Sequence, residues 1–217
     1  MGLLEKAKKL KAKRKPSKQV AGKNKVNLTM KASTKTIEAE ISSLRKEYPE
    51  GWISLLEIEP EKSLELLLSS LKALTDKDYT VFLVSSNLPC TTLHSHFKEK
   101  NIDIEKVYIV DCVCVTQGLK PDVKQVFHLD GVSALTNMSI VLSKLTDSLT
   151  GKRVIVIDSM NNLLLHNDAG VLARFVHGLI NKMRLSGISG LLFSSGGEAD
   201  KEVHDEISQL CDKTITL

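Results

Sequence analysis

The chain has 217 residues, is 42% hydrophobic and carries a formal net charge of +4 at pH 7. This length and apolar content are enough for one core of roughly 150 to 200 residues with an appendage. The sequence has no apolar signal-like run and no stretch of about 18 apolar residues, which argues against secretion and membrane spanning and leads us to expect a cytoplasmic protein.

The N-terminal segment carries the positive charge. Residues 1–25 contain ten Lys or Arg and one acid, whereas the other 192 residues contain 20 basic and 25 acidic residues, a net charge of −5. We predict a basic flexible arm over residues 1–27. The residues expected to contact nucleic acid or another anionic surface are Lys8, Lys9, Lys11, Lys13, Arg14 and Lys15. The arm could hold DNA or RNA without reading sequence, lie on an anionic membrane or dock on an acidic protein, and a plain solvated tail is the alternative.

Residues 28–50 follow the arm and are predicted to form an edge helix and a linker. Ile37, Ile41 and Leu44 stand three or four positions apart, which gives one apolar stripe along a helix. We expect this helix to pack on the edge of the main domain, which we place at residues 51–217.

Within residues 51–217, strand-like and helix-like patterns alternate. The predicted strands are residues 52–58, 79–86, 106–115, 125–129, 153–159, 187–195 and 212–217. The predicted helices are residues 63–74, 91–100, 134–149, 171–185 and 201–211. Continuous apolar strands separated by amphipathic helices indicate a mainly parallel sheet with both faces covered. We therefore predict an α/β fold, a three-layer α/β/α sandwich.

The first strand leads into a segment with the outline of a phosphate-binding loop. That loop has the pattern G-x-x-x-x-G-K-[ST], in which the glycines let backbone N–H groups surround phosphates. Lys62 and Ser63 match the last two positions, but Leu56 and Glu61 replace the glycines. The bulk of leucine and the carboxylates of Glu57, Glu59 and Glu61 oppose a bound triphosphate. The alternative is that Lys62 and Ser63 are ordinary residues in the first turn of a surface helix.

The predicted strand at 153–159 contains Asp158 after four apolar residues. An aspartate at the carboxyl end of such a strand, as in a Walker B motif, can hold magnesium through water. Asp158 is therefore our candidate for a magnesium site. The alternative is a turn or helix-cap residue, because buried strands often end in aspartate for that reason.

The four cysteines and six histidines give weaker patterns. Cys112 and Cys114 lie in the predicted strand at 106–115, where a period of two would point both thiols to one face, and we favour core packing over a metal or redox site. His94 and His96 lack a second pair at zinc spacing, and the other histidines show no spacing that joins them into a catalytic set. The sequence assigns no metal to these residues.

The order of these segments, together with the phrases NIDIEKVYIVD, IDSMNNLL and LINKMRLSG, resembles the archaeal RecA-like ATPases of the KaiC and RadA type. The resemblance covers residues 50–217 and implies a RecA-like P-loop NTPase fold. It also implies roles for three residues: Lys62 on the phosphates, Ser63 on magnesium and Asp158 orienting that ion. Active members place a glutamate after the second strand to activate water, but here that strand leads into the polar run at residues 85–87. Losing such a base costs about 10² to 10⁴ in rate.

These features predict a catalytically silent or severely impaired RecA/KaiC-like ATPase homologue. We expect it to act as a regulatory or scaffolding module that binds related ATPase subunits or another protein, without enzymatic activity and without a cofactor. One alternative is a divergent ATPase that still binds Mg-ATP through Lys62, Ser63 and Asp158. Another is an accessory protein of recombination that binds nucleic acid through the basic arm.

Overall fold

The computed structural model of the chain describes residues 36–49, 51–195 and 201–217. The predicted basic arm, with its six candidate Lys and Arg side chains, lies outside these residues. The first described element, helix α1, covers residues 36–47. Its side chains Ile37, Ile41 and Leu44 are fully buried in the core, which confirms the apolar stripe predicted from their spacing.

Seven strands form one sheet with the order β4-β3-β2-β5-β6-β1-β7. Every neighbouring pair is parallel, as the sequence predicted. The strands are β1 Ile53–Glu57, β2 Thr80–Ser85, β3 Val107–Asp111, β4 Val126–His128, β5 Arg153–Ile157, β6 Ser189–Ser194 and β7 Lys213–Thr216. Each of them falls within a strand predicted from the sequence.

Helices connect the strands. After α1 come α2 Ser63–Asp76, α3 Cys90–Glu99, α4 Leu135–Ser148, α5 Met160–Leu165, α6 Ala169–Leu185 and α7 Lys201–Leu210. Short 3₁₀ helices cover Pro60–Lys62, Ile104–Lys106 and Val115–Gln117. The sequence analysis missed α5, whose six residues are too few to show a helical period. Its start is fixed by Ser159, whose hydroxyl accepts a hydrogen bond from the N–H of Asn162 at 3.0 Å.

Two apolar clusters lie on opposite faces of the sheet. Val81 and Leu83 of β2 belong to one cluster, with residues of α1, α2 and α3, whereas Phe82 and Val84 belong to the other, with residues of α4, α5, α6 and α7. This alternation follows from the period of two in a strand. The three-layer α/β/α sandwich is thereby confirmed. Among the described helices, none is both long and apolar enough to cross a lipid bilayer.

Strand β3 is shorter than the sequence predicted. It ends at Asp111, because the Asp111 carboxylate accepts hydrogen bonds from the N–H groups of Val113 at 2.7 Å and Cys114 at 3.0 Å and turns the chain. Cys112 then packs in the cluster with α4, and Cys114 in the cluster with α3. The prediction that both thiols share one face of a strand is wrong, since the turn replaces the period of two.

Candidate functional site at the carboxyl edge of the sheet

The carboxyl ends of the parallel strands meet at one edge of the sheet, and a cavity of about 240 Å³ opens there. Ligands of open α/β sheets bind at this edge. The cavity is lined by Ile58, Pro60, Ser63, Asn87, Asp158, Ser159, Phe193, Ser194 and Ser195. The fold therefore brings together Ser63 and Asp158, two of the three residues that the sequence selected.

Asp158 is engaged within the protein. It follows β5 and is 4% exposed. Its Oδ1 accepts hydrogen bonds from the N–H of Ser86 at 3.0 Å and from the Ser86 hydroxyl at 2.6 Å. Its Oδ2 accepts from the N–H of Ser86 at 3.0 Å and the N–H of Asn87 at 3.1 Å, and it lies 3.5 Å from the hydroxyl oxygen of Ser85. We call these four residues the Asp158 network. Its donors use most of the four lone-pair positions of a carboxylate.

Burial also acts on the ionisation of this group. Desolvation raises the pKa of Asp158, and the hydrogen bonds from Ser86 and Asn87 lower it without cancelling that effect. A magnesium ion that is bound through water needs the charged carboxylate. Burial of Asp158 thus disfavours its ionised form. The neighbouring hydrogen-bond donors already occupy its carboxylate oxygens.

Lys62 does not join the other two candidates. Its Nζ lies 2.9 Å from Oε2 of Glu59, and Lys62 is absent from the described residues that line the cavity. Glu57 has partners of its own: its Oε2 accepts a hydrogen bond from the Thr216 hydroxyl at 2.8 Å, and its Oε1 lies 3.1 Å from Nε2 of His204. The expectation that the three glutamates oppose a bound triphosphate stays a prediction.

The turn between β1 and α2 differs in shape from a phosphate-binding loop. Leu56, at the first glycine position, is fully buried within β1, and Glu61, at the second, lies in the 3₁₀ helix Pro60–Lys62. The described residues with a positive φ all lie outside this turn. Without left-handed residues, successive N–H groups do not curl toward one point as they do in an anion-binding loop.

The position of the missing glutamate is filled by hydroxyl and amide groups with partners of their own. The Ser85 hydroxyl donates to the carbonyl of Leu88 at 2.7 Å, and the Asn162 side chain donates to the carbonyl of Ser86 at 2.7 Å. The first contact closes the turn after β2, and the second ties the end of β2 to α5. In this position the chain has hydrogen-bonding side chains but no carboxylate that could activate water.

A second group of side chains meets at the same edge, where β2, β3 and β4 end. Cys90, Asp111, Cys114 and His128 each place one potential ligand atom within 4.8 Å of the others. The sequence analysis missed this group because it compared spacings along the chain only. The available signal was positional: each residue follows or ends one of three strands that are neighbours in the sheet.

The protonation of this second group follows from its environment. Burial raises the pKa of the Cys90 and Cys114 thiols. Burial alone would raise the pKa of Asp111 as well, but hydrogen bonds from the Cys114 thiol and from the N–H groups of Cys114 and Val113 hold it below its usual value. In the absence of a bound ion, neutral thiols therefore surround a carboxylate.

Comparisons with known proteins identify the architecture. The KaiC-like protein PH0186 from Pyrococcus horikoshii has a similar structure, with a TM-score of 0.57 and 14% identity over 77% of this chain and 71% of that one. The protein described here has a KaiC-like fold. An uncharacterized protein from the same organism, PH0321, solved with an unknown peptide, has a TM-score of 0.54 and 16% identity over 76% of each chain. No family model matches the sequence. No curated protein matches it either.

In this KaiC-like fold, the 240 Å³ cavity lies between the two segments that the resemblance assigns to phosphates and magnesium. Strand β6 separates β1 from β5, so the turn before α2 and the end of β5 face each other across the carboxyl end of β6. The predicted RecA-like architecture is confirmed. The roles of Lys62, Ser63 and Asp158 stay predictions.

Proposed function

We propose that this domain is a catalytically silent RecA-like module that acts by binding a protein partner, as a regulator or scaffold. The observation that carries the proposal is the Asp158 network. An aspartate that orients magnesium must offer its oxygens to the water around the ion. Here both oxygens accept hydrogen bonds from the segment that follows β2. Binding magnesium would require those buried donors to lose their partner, which is costly.

The charge of the cavity supports the same proposal. Among the described residues that line it, Asp158 is the one ionisable side chain. A nucleotide triphosphate is stabilised in its sites by Lys, Arg and metal ions. Lys62, the nearest sequence candidate, is instead paired with Glu59 at 2.9 Å. The cavity is therefore polar, but it is poorly suited to a polyanion.

The residues after β2 are a third observation that supports a catalytically silent module, because they include no general base. Ser85 and Ser86 stand where a glutamate would activate water, and both hydroxyls already donate, to the Leu88 carbonyl and to Asp158. A hydroxyl in such a contact is a poor proton acceptor at neutral pH. Hydrolysis would then be slow even if nucleotide did bind.

A binding role is consistent with this structure, because the RecA-like sheet is present while the polar residues at its carboxyl edge form hydrogen bonds with one another. The solved structure of PH0321, which shares the fold, contains an unknown peptide. For the present chain we propose a polypeptide partner, either a related ATPase subunit or another protein. Binding of this partner would not depend on hydrolysis of a nucleotide.

Mg-ATP binding without fast turnover is the second candidate. The observation that favours it is the presence of Ser63 and Asp158 in the lining of one cavity, beside the first turn of α2. The N-terminus of a helix attracts anions. In that case Lys62 would have to leave Glu59 and turn toward the phosphates.

Thermal unfolding of the full chain with Mg-ATP, Mg-ADP and non-hydrolysable analogues tests the two candidates. A ligand at about 100 times its dissociation constant stabilises a folded protein by about 2.7 kcal/mol. We expect no shift of the unfolding midpoint at millimolar nucleotide and no release of phosphate. The matched pair of variants is Lys62→Ala and Lys72→Ala, because Lys72 forms a comparable ion pair with Asp76 on α2, at 2.8 Å.

A midpoint shift that Lys62→Ala removes and Lys72→Ala keeps would overturn the silent module in favour of nucleotide binding. Phosphate release that Asp158→Ala abolishes would establish an ATPase. A shift that both lysine variants keep would show nucleotide binding away from Lys62, and the proposed silence would then rest on the absence of phosphate release alone.

A further inference from the structure

Four side chains with metal-binding atoms converge where β2, β3 and β4 end. Cys90 begins α3 directly after β2, Asp111 ends β3, Cys114 follows the turn after Asp111, and His128 ends β4. The three strands are neighbours in the sheet, so residues far apart in sequence reach one place. Cys90, Asp111 and Cys114 are at most 1% exposed, and the His128 side chain is 16% exposed.

The hydrogen bonds of His128 leave one of its nitrogens without a partner. Nε2 lies 3.0 Å from the carbonyl oxygen of Pro121. A carbonyl only accepts, so Nε2 carries the hydrogen, and in the neutral ring Nδ1 presents a lone pair. Nδ1 is buried and makes no hydrogen bond to any described residue, although it lies 3.4 Å from Oδ2 of Asp111. With the ring neutral, two atoms with lone pairs face each other, and a cation between them, either a proton or a metal ion, would stabilise the pair.

The two sulfurs have the spacing of metal ligands. Sγ of Cys90 and Sγ of Cys114 are 3.7 Å apart. A disulfide would bring them to about 2.05 Å. Two thiolates on a tetrahedral zinc ion, each about 2.3 Å from the metal, lie about 3.8 Å apart. The observed separation excludes a disulfide and matches the second geometry, and without an ion it also allows one thiol to donate a hydrogen bond to the other.

We propose that Cys90, Cys114, His128 and Asp111 bind one Zn²⁺ ion through Sγ, Sγ, Nδ1 and Oδ2. One potential ligand atom of each residue lies within 4.8 Å of the others, so the longest separations need to shorten by about 1 Å to reach tetrahedral geometry. Two thiolates, one imidazole and one carboxylate form a donor set that suits zinc better than magnesium or calcium. On binding, the two thiols release their protons to solvent.

The surrounding contacts already orient these ligands. Oδ1 of Asp111 accepts from the N–H groups of Val113 and Cys114, and Oδ2 accepts from the N–H of Cys90 at 3.3 Å while it faces His128. The Nε2–H of His128 donates to a backbone carbonyl, as the second nitrogen of zinc-bound histidines commonly does. The hydrogen bonds that orient Asp111 and His128 can therefore stay in place when an ion binds.

The location of the site indicates a structural role. Three of its ligands are buried, and the four protein ligands complete the coordination, which is typical of structural rather than catalytic zinc. Strand β4 has three residues and lies at the edge of the sheet, so few hydrogen bonds hold it. An ion bound to His128 would tie β4 to the ends of β2 and β3 and stabilise the fold.

Metal content of the full chain, purified with a reductant and supplied with zinc before gel filtration, tests the proposal. We expect inductively coupled plasma mass spectrometry to find about one zinc ion per chain. The decisive pair is Cys114→Ala and Cys112→Ala, because both cysteines are 1% exposed and lie two positions apart in different core clusters. Cys114→Ala should lose at least 90% of the bound zinc, whereas Cys112→Ala should keep it.

If Cys114→Ala fails to fold, His128→Ala replaces it, with His177→Ala on the exposed face of α6 as its control. Cobalt substitution adds a readout, because cobalt bound by thiolates absorbs in a way that free cobalt does not. That absorption should disappear when either cysteine ligand is removed and persist in Cys112→Ala.

Three outcomes would overturn the zinc site. The first is a folded wild-type chain with less than about 0.1 zinc per chain after supplementation. The second is equal loss of zinc in Cys112→Ala and Cys114→Ala. The third is a Cys90–Cys114 disulfide that forms without reductant and persists in the presence of zinc, which would assign the pair to thiol redox chemistry.

Discussion

Two places at the same edge of the sheet contain buried aspartates that both accept backbone hydrogen bonds but differ in their other neighbours. Asp158, after β5, receives hydrogen bonds from the N–H groups of Ser86 and Asn87 and from the Ser86 hydroxyl. Asp111, at the end of β3, faces the lone pair of His128, with two thiols beside it. The first site is complete within the protein, while the second is completed by a cation.

This difference shows that the identity of a residue in a motif is a weaker guide to its function than the partners that its polar atoms have in the fold. Asp158 stands in a sequence pattern known for magnesium, yet neighbouring donors occupy it. Asp111 belongs to no such pattern, yet it lies where four metal-binding atoms converge. A buried polar atom without a partner is uncommon in folded proteins and points to a missing ligand or ion.

The largest expected effect tests whether Asp158 is structural. Asp158→Ala leaves the N–H groups of Ser86 and Asn87 without acceptors in a buried position, so we expect the free energy of unfolding to fall by about 2–4 kcal/mol. Urea denaturation measures the loss. Asp168→Ala is the comparison, because Asp168 is an N-cap of α6 whose removal should cost about 1 kcal/mol. Unchanged stability in Asp158→Ala, together with lost nucleotide binding, would reverse our comparison of the two sites.

A smaller effect separates the hydroxyl donor from the backbone donors. Ser86→Ala removes one hydrogen bond of 2.6 Å to Asp158 and keeps the N–H contacts, so we expect a loss of about 1–2 kcal/mol. Ser95→Ala, on the exposed side of α3, serves as the control and should change stability by less than about 0.5 kcal/mol. Equal effects in the two serine variants would mean that the Asp158 network adds little to stability.

The ionisation of Asp158 gives a dependence on pH. Its folded pKa is raised above its ordinary value of 3.8 by burial. Between these two values the folded state binds more protons than the unfolded state, so this contribution is present at low pH and is lost as pH rises through the folded pKa. Relative to Asp158→Asn, the unfolding free energy of the wild type should fall with rising pH, by at most about 1.4 kcal/mol per pH unit. A difference that rises with pH would show that hydrogen bonding outweighs burial.

The smallest expected effect concerns Lys62. Its ion pair with Glu59 lies at the surface, with 22% and 65% of the two side chains exposed. Such pairs contribute about 0–1 kcal/mol, so Lys62→Ala should change the free energy of unfolding by less than about 0.5 kcal/mol. Calorimetry of Lys62→Ala beside Lys72→Ala checks this. A clearly larger loss in Lys62→Ala would indicate a contact that the Glu59 pair does not explain.

The sequence predicted the elements that depend on local patterns. Runs of apolar residues located all seven strands, and the spacing of Ile37, Ile41 and Leu44 predicted the burial of α1. The end of β3 was missed, because Asp111 favours a turn only through its contacts with the following N–H groups. Local period alone would have continued the strand through Cys114.

The candidate sites depended on contacts between strands that are distant in sequence. Asp158 meets Ser86 because β5 pairs with β2, and His128 meets Asp111 because β4 pairs with β3. Strand order is not encoded in the period of any single segment. The resemblance therefore selected Lys62, Ser63 and Asp158 as one site, but the sequence did not indicate which donors occupy Asp158 or that Cys90 and His128 converge.

The Asp158 network should also protect the surrounding backbone amides from hydrogen exchange. The amide hydrogens of Ser86 and Asn87 follow the last residue of β2, where a chain leaving a sheet commonly exchanges its amide hydrogens fast. Both amides here donate to one buried carboxylate that is itself anchored by the N–H of Asp158 on the carbonyl of Val84 at 3.2 Å. We therefore expect slow amide exchange to extend past the end of β2, into the segment where the resemblance to ATPases would place the glutamate that activates water.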